Sequence, residues 1–112
     1  MTVKEISHYK GLILNTYIIA RMKLDELTKW VLSVDRRVLV MKEIHENELI
    51  KTSEIAEKTG RSLQNISHAL RELEEHGLIE CLTPEKHTWK RYILTEKGVK
   101  IFDKFKKKHL FN

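Results

Sequence analysis

The sequence predicts a mainly helical α+β fold: a helix-turn-helix, then a two-stranded β-hairpin, with extra helices at both ends. Three observations carry this. Within residues 52–80 two helical stretches are separated by Gly60, and the second closes on His76-Gly77. Ile66, Ala69, Leu70 and Leu73 stand at three- and four-residue steps, which line one face of a helix. After Gly77 the apolar spacing becomes strand-like, and it returns to a helical period after Thr95.

A length of 112 residues fits one domain spanning 1–112, with 41% apolar and 33% charged residues giving a modest core. Three parts are expected within it: residues 1–32 as an N-terminal extension that serves dimerisation, residues 33–95 as the core, and residues 96–112 as a C-terminal helix. Pairing suits a chain this short, because small domains leave much surface exposed. Cys81 is the only cysteine, so no disulfide forms within the chain. No run approaches the roughly 18–20 apolar residues of a membrane span. Residues 12–20 are interrupted by Asn15 and Thr16, and the opening MTVKEISHYK lacks a signal-peptide layout. A cytoplasmic protein with no membrane contact is the expectation.

In chain order, residues 12–19 (LILNTYII) suit a helix or a strand, with a helix preferred, and need a partner surface. Residues 22–32 read as a helix with Leu24, Leu27 and Val31 inward and Trp30 beside them. Ser33 is the expected N-cap of a helix over 34–46, with Asp35 in its first turn and Val34, Val38, Met41 and Ile44 (or Leu39) inward. Residues 49–51 form a short extended piece. Thr52 or Ser53 then caps a helix over 54–59 that buries Ile55 and Ala56 and stops at Gly60. Ser62 caps the next helix, over 63–76. Strands over 79–83 and 90–95 flank PEKHTW, whose Pro84 cannot continue a central strand. Thr95 caps a last helix to about residue 110, with Val99, Phe102 and Phe105 inward.

This order of elements is that of a winged helix-turn-helix. The outer face of helix 63–76 carries Gln64, Asn65, Ser67, His68 and Arg71 near its N-terminal half, with Ser62 at the cap. Gln and Asn match adenine edges, Arg matches guanine, and Ser suits phosphate. Glu72, Glu74 and Glu75 farther along would repel DNA, so the N-terminal half is the part that docks. The hairpin adds Lys86, His87, Lys90 and Arg91, which suit phosphates or a narrow minor groove. From residue 84 onward nine Lys and Arg oppose three Asp and Glu, within a net charge of +5. The ordinary alternatives are an amphipathic surface helix and a solvated hairpin.

SEIAEKTGRSLQNISHALRELEEHGLIE followed by YILTEKG resembles winged helix-turn-helix transcriptional regulators of the MarR and ArsR type. The resemblance spans about residues 33–105 and rests on Leu73, Glu74, Gly77, Leu78 and Ile79 together with Leu94, Thr95 and Gly98. It implies a recognition helix at 62–76, a wing near 84–90, and a homodimer on palindromic double-stranded DNA paired through its terminal segments. A repressor rather than an activator is the expectation, with a small-molecule effector as an open possibility at a pocket near Trp30 and Tyr17. Arg61 and Leu63 depart from the family pattern, which usually has an apolar residue at the first position and often a polar or basic one at the second. Cys81 alone does not match the metal-sensing motif of the ArsR group.

Neither a Gly-rich phosphate loop nor a HExxH motif is present, so an enzyme is not expected. Among His8, His45, His68, His76, His87 and His109 only His68 and His76 share a helix at a regular spacing; no metal and no cofactor are expected. The competing reading is a winged-helix protein-interaction module in a larger assembly.

Overall fold

A computed structural model describes residues 22–47, 49–86 and 90–107. The expected N-terminal helix over 12–19, His87 at the hairpin tip, and the end of the last helix near residue 110 lie outside the described residues. The elements are α1 (Leu24–Leu32), α2 (Asp35–Glu46), α3 (Thr52–Thr59), α4 (Leu63–Glu75), β1 (Ile79–Cys81), β2 (Tyr92–Leu94) and α5 (Glu96–Lys107). β1 and β2 pair antiparallel with Ile79 opposite Leu94 and Cys81 opposite Tyr92. The winged-helix order is therefore present, although both strands are shorter than the sequence suggests. Lys51 adds an isolated antiparallel bridge to Arg91, so the extended piece before α3 abuts the hairpin.

Both turns that frame the helix-turn-helix are closed by glycine. Gly60 has φ 68° and Gly77 has φ 72°, the left-handed region that other residues enter at a cost. Gly77 N–H donates to Glu74 O, and Leu78 N–H reaches back to Leu73 O at 3.0 Å. Gly60 and Arg61 bond Glu57 O and Ala56 O in the same way. These paired bonds satisfy carbonyls that a helix end would leave open. Ser62 accepts from Asn65 N–H at 3.0 Å, the expected N-cap of α4.

One cluster forms the core. It joins Leu27 and Val31 of α1, Val40, Met41 and Ile44 of α2, Ile55 of α3, the α4 stripe, Leu78, Ile79, Tyr92, and Ile101, Phe102 and Phe105 of α5. Ile66, Ala69, Leu70 and Leu73 are all buried, as their spacing requires.

Several expectations are corrected. Ser33 ends α1 instead of starting α2: its hydroxyl donates to Trp30 O, and Val34 stands at the α2 N-cap position. Thr52 and Ser53 are helical residues of α3, with Lys51 before them; Glu54 reaches back to Lys51 N–H at 3.2 Å and supplies the cap. Val99 is 39% exposed, and Ile101 takes the inward place assigned to it. The reason is the phase of α5. Gly98, Ile101, Phe102 and Phe105 form the buried face, and a Cβ on Gly98 would lie 2.1 Å from Leu78 O. Helix α5 starts in direct backbone contact with the chain after α4, and only glycine permits it. Thr95 locks the same junction, donating its hydroxyl to Gly77 O at 2.7 Å and accepting from Gly98 N–H at 3.1 Å.

The inward face of α2 is likewise shifted. Val40, Met41 and Ile44 are buried, whereas Val34, Val38 and Leu39 are only half-buried. The fourth inward position is Arg37, whose side chain is 12% exposed.

Candidate nucleic-acid interface

With its apolar stripe in the core, α4 must present its other side outward. Gln64, Ser67, His68 and Arg71 are exposed there, and Asn65 is half-buried. Together with Ser62 they line one surface groove of about 500 Å³. The five α4 residues singled out from the sequence and the Ser62 cap are thus brought together. A second groove of about 690 Å³ adjoins it, sharing Ser67 and Arg71 and adding Thr52, Ser53, Leu63, Lys90 and Tyr92. Lys90 of the hairpin therefore stands beside the recognition-helix candidate, as the wing reading expects.

The remaining hairpin residues divide. Lys86 N–H donates to Thr83 O at 3.0 Å, closing a turn around Pro84 and Glu85. The Arg91 guanidinium donates to Leu49 O at 2.6 Å, and the Arg91 backbone N–H donates to Thr83 Oγ1 at 3.0 Å. Arg91 thus ties the wing's base to the α2–α3 connection, where Leu49 has φ 60°. Its guanidinium is directed to the protein in this state.

Asn65 Oδ1 is buried and accepts no hydrogen bond from the protein. A two-point contact to adenine needs both amide atoms, so Asn65 must turn its amide to make one.

A charge network, invisible in the sequence, supports the helix from behind. Glu72 Oε1 accepts from Arg36 Nη2 at 2.7 Å and Glu72 Oε2 from Arg37 Nε at 2.6 Å. His68 Nε2 lies 3.2 Å from Oε1 of the same carboxylate. Burial works to raise the Glu72 carboxyl, but the hydrogen bonds and charges of Arg36 and Arg37 outweigh it and hold the group below the usual carboxylate range. Arg37 also donates to Trp30 O at 2.7 Å and lies 3.9 Å over the Trp30 ring, on which His76 stacks at 3.6 Å. Trp30 is thereby taken up in packing α1 against α2 and α4. Glu72 is no repellent: its charge is matched by two arginines. Glu74 and Glu75 remain exposed and line the wing-side groove.

Thr52 and Ser53 join this groove without any signal in the sequence that they would. They look like caps in sequence, yet as the first residues of α3 they bring two hydroxyls to the groove beside Leu63 and Arg71. Tyr92 lines the same groove; burial pushes its phenol up to about 12, with Cys81 and Glu74 adding to the effect, so it stays neutral at physiological pH.

Among the described residues no group of three or more His, Cys, Asp and Glu is placed to hold a metal ion, and no helix is long and apolar enough to cross a membrane.

Comparison with known proteins agrees with this geometry. Residues 34–80 match the family described as winged helix-turn-helix DNA-binding. No curated protein sequence matches the chain. Among solved structures, MarR is 28% identical, with 88% of this chain and 67% of that chain covered and a TM-score of 0.62. FabT of Streptococcus pneumoniae, solved in complex with DNA, is 18% identical over 96% of this chain and 76% of that one, with a TM-score of 0.62. The homodimeric winged helix-turn-helix domain of Mb0332 from Mycobacterium bovis, a possible ArsR-family regulator, is 21% identical over 89% and 83%, with a TM-score of 0.61. Residues 34–80 thus match a winged helix-turn-helix DNA-binding family, on a fold similar to that of MarR and of a MarR family transcription regulator.

Proposed function

We propose that this protein is a sequence-specific double-stranded DNA-binding transcriptional regulator, a repressor rather than an activator, that works as a homodimer in the cytoplasm. The observation that carries the reading is the convergence of Ser62, Gln64, Asn65, Ser67, His68 and Arg71 on one outward groove of α4. Such a helix enters the major groove by its N-terminal half. Gln64 and Arg71 contact base edges, Asn65 joins them once its amide turns, and Ser62, Ser67 and His68 contact base edges or phosphate. Lys86, His87 and Lys90 meet the adjacent backbone or minor groove, while Arg91 holds the wing in place through Leu49. Residues 1–32 together with the C-terminal segment 96–112 form the pairing region. FabT and MepR, both similar in fold, were solved with DNA, and Mb0332 as a homodimer, which supports the reading.

A gel-shift titration of the full chain at moderate salt tests it. Binding to an enriched duplex at nanomolar protein, and to random duplex only at much higher concentration, is expected. An absence of any duplex binding at micromolar protein would instead mark the chain as a protein-interaction module.

A further inference from the structure

Leu63 is the first residue of α4 and is 56% exposed, the most open of the large apolar side chains among the described residues. It belongs neither to the core nor to the partly buried residues packed against it, so no packing role within the described fold accounts for a leucine here. It sits next to the Ser62 cap and lines the groove that also holds Ser67, Arg71 and Lys90. On the proposed reading, that first turn is the part of the helix inserted deepest into the major groove. Most base-edge atoms there are polar, and the one methyl group among them is the C5 methyl of thymine. An isobutyl group pressed against amino, carbonyl or ring-nitrogen atoms would desolvate them without a partner, which is unfavourable. Against a thymine methyl it removes apolar surface from water on both sides.

We infer that Leu63 is a specificity-determining residue that selects thymine, by its methyl group, at one position in each half-site. The inference rests on α4 being the recognition helix.

The probe is the duplex recovered when the full chain selects from a randomised pool, with each thymine in turn replaced by deoxyuridine. That exchange removes the methyl group and leaves every hydrogen-bonding edge intact. Dissociation constants are measured for the wild type, Leu63→Ala and Leu63→Met. At one thymine per half-site the wild type should lose roughly fourfold in affinity, the worth of about one buried methyl group. Leu63→Ala should bind thymine and deoxyuridine there equally, and Leu63→Met, which keeps an apolar side chain, should retain most of the difference. Since Leu63 is exposed, both variants should melt with the wild type. Deoxyuridine exchange that is neutral at every position, or a thymine preference unchanged in Leu63→Ala, overturns the inference while leaving the recognition-helix reading intact. A selection that enriches no sequence overturns both.

Discussion

Glu72 ties α4 to α2 through a carboxylate that takes hydrogen bonds from Arg36 and Arg37. Read along α4 it is one of three carboxylates that keep DNA away, yet it is a half-buried acceptor shared by Arg36 and Arg37. The lowering of its pKa fixes the direction of the pH dependence. The folded protein binds the proton less readily than the unfolded chain, so Glu72 contributes stability above the ordinary carboxylate range of about pH 4.3, and the contribution is lost as pH falls through the lower folded value. Glu72→Gln should therefore cost about 1.5–3 kcal/mol at neutral pH, the range for hydrogen bonds to charged groups. It should also flatten the acid limb of a stability–pH curve measured by denaturant melts. An unchanged acid limb would remove Glu72 from the account. Gly98 is tested in the same way. Its missing side chain is what allows α5 to touch the Leu78 carbonyl, so Gly98→Ala should destabilise by about 1–3 kcal/mol or more despite alanine's better helix propensity. A gain in melting temperature would contradict the close approach.

At the scale of elements, the helices and the wing were legible because their signals are local. The α4 stripe, the Gly60 and Gly77 stops, and the Ser62 cap all follow from spacing and backbone chemistry within a turn or two. Two phases were misread for one reason. In α2 and α5 an inward position is held by a residue that apolar counting passes over: Arg37, half-buried against Trp30 and Glu72, and Gly98, buried with no side chain at all. Glu72 lies 35 residues from Arg37 and the carbonyl facing Gly98 belongs to another segment, so no short-range pattern reveals either contact. The candidate site divides similarly. Its α4 half is a helix face and could be read directly, whereas the turn of Arg91 toward Leu49 and the arrival of Thr52 and Ser53 beside α4 depend on tertiary packing. The two kinds of contact should separate in binding. Gln64→Ala and Arg71→Ala should each cost about 1–3 kcal/mol on the enriched duplex and relax the preference for it. Lys90→Ala should weaken enriched and random duplexes alike and reduce the salt slope by about one. Identical behaviour of the two classes in paired titrations would remove the distinction between α4 and the wing.

For the whole molecule, the described core is closed around α1, α2, α4 and α5, and Phe102 and Phe105 are buried within it. A pairing surface on α5 must therefore use its other side or the residues beyond it, together with the N-terminal segment. A homodimer should sediment as such at tens of micromolar, and a monomer at that concentration would exclude pairing as a standing feature of the protein. Symmetry is what links the dimer to the groove of α4, because two recognition helices related by a two-fold axis read an inverted repeat. The central claim is tested most directly by selecting binding sites from a randomised duplex pool with the wild type and Arg71→Ala in parallel. The expected result is an inverted repeat whose half-site centres lie one helical turn, ~10–10.5 base pairs, or a multiple of it apart. The variant should recover the same repeat with one position in each half-site relaxed. Enrichment of no sequence, or an identical sequence preference in Arg71→Ala, would contradict it.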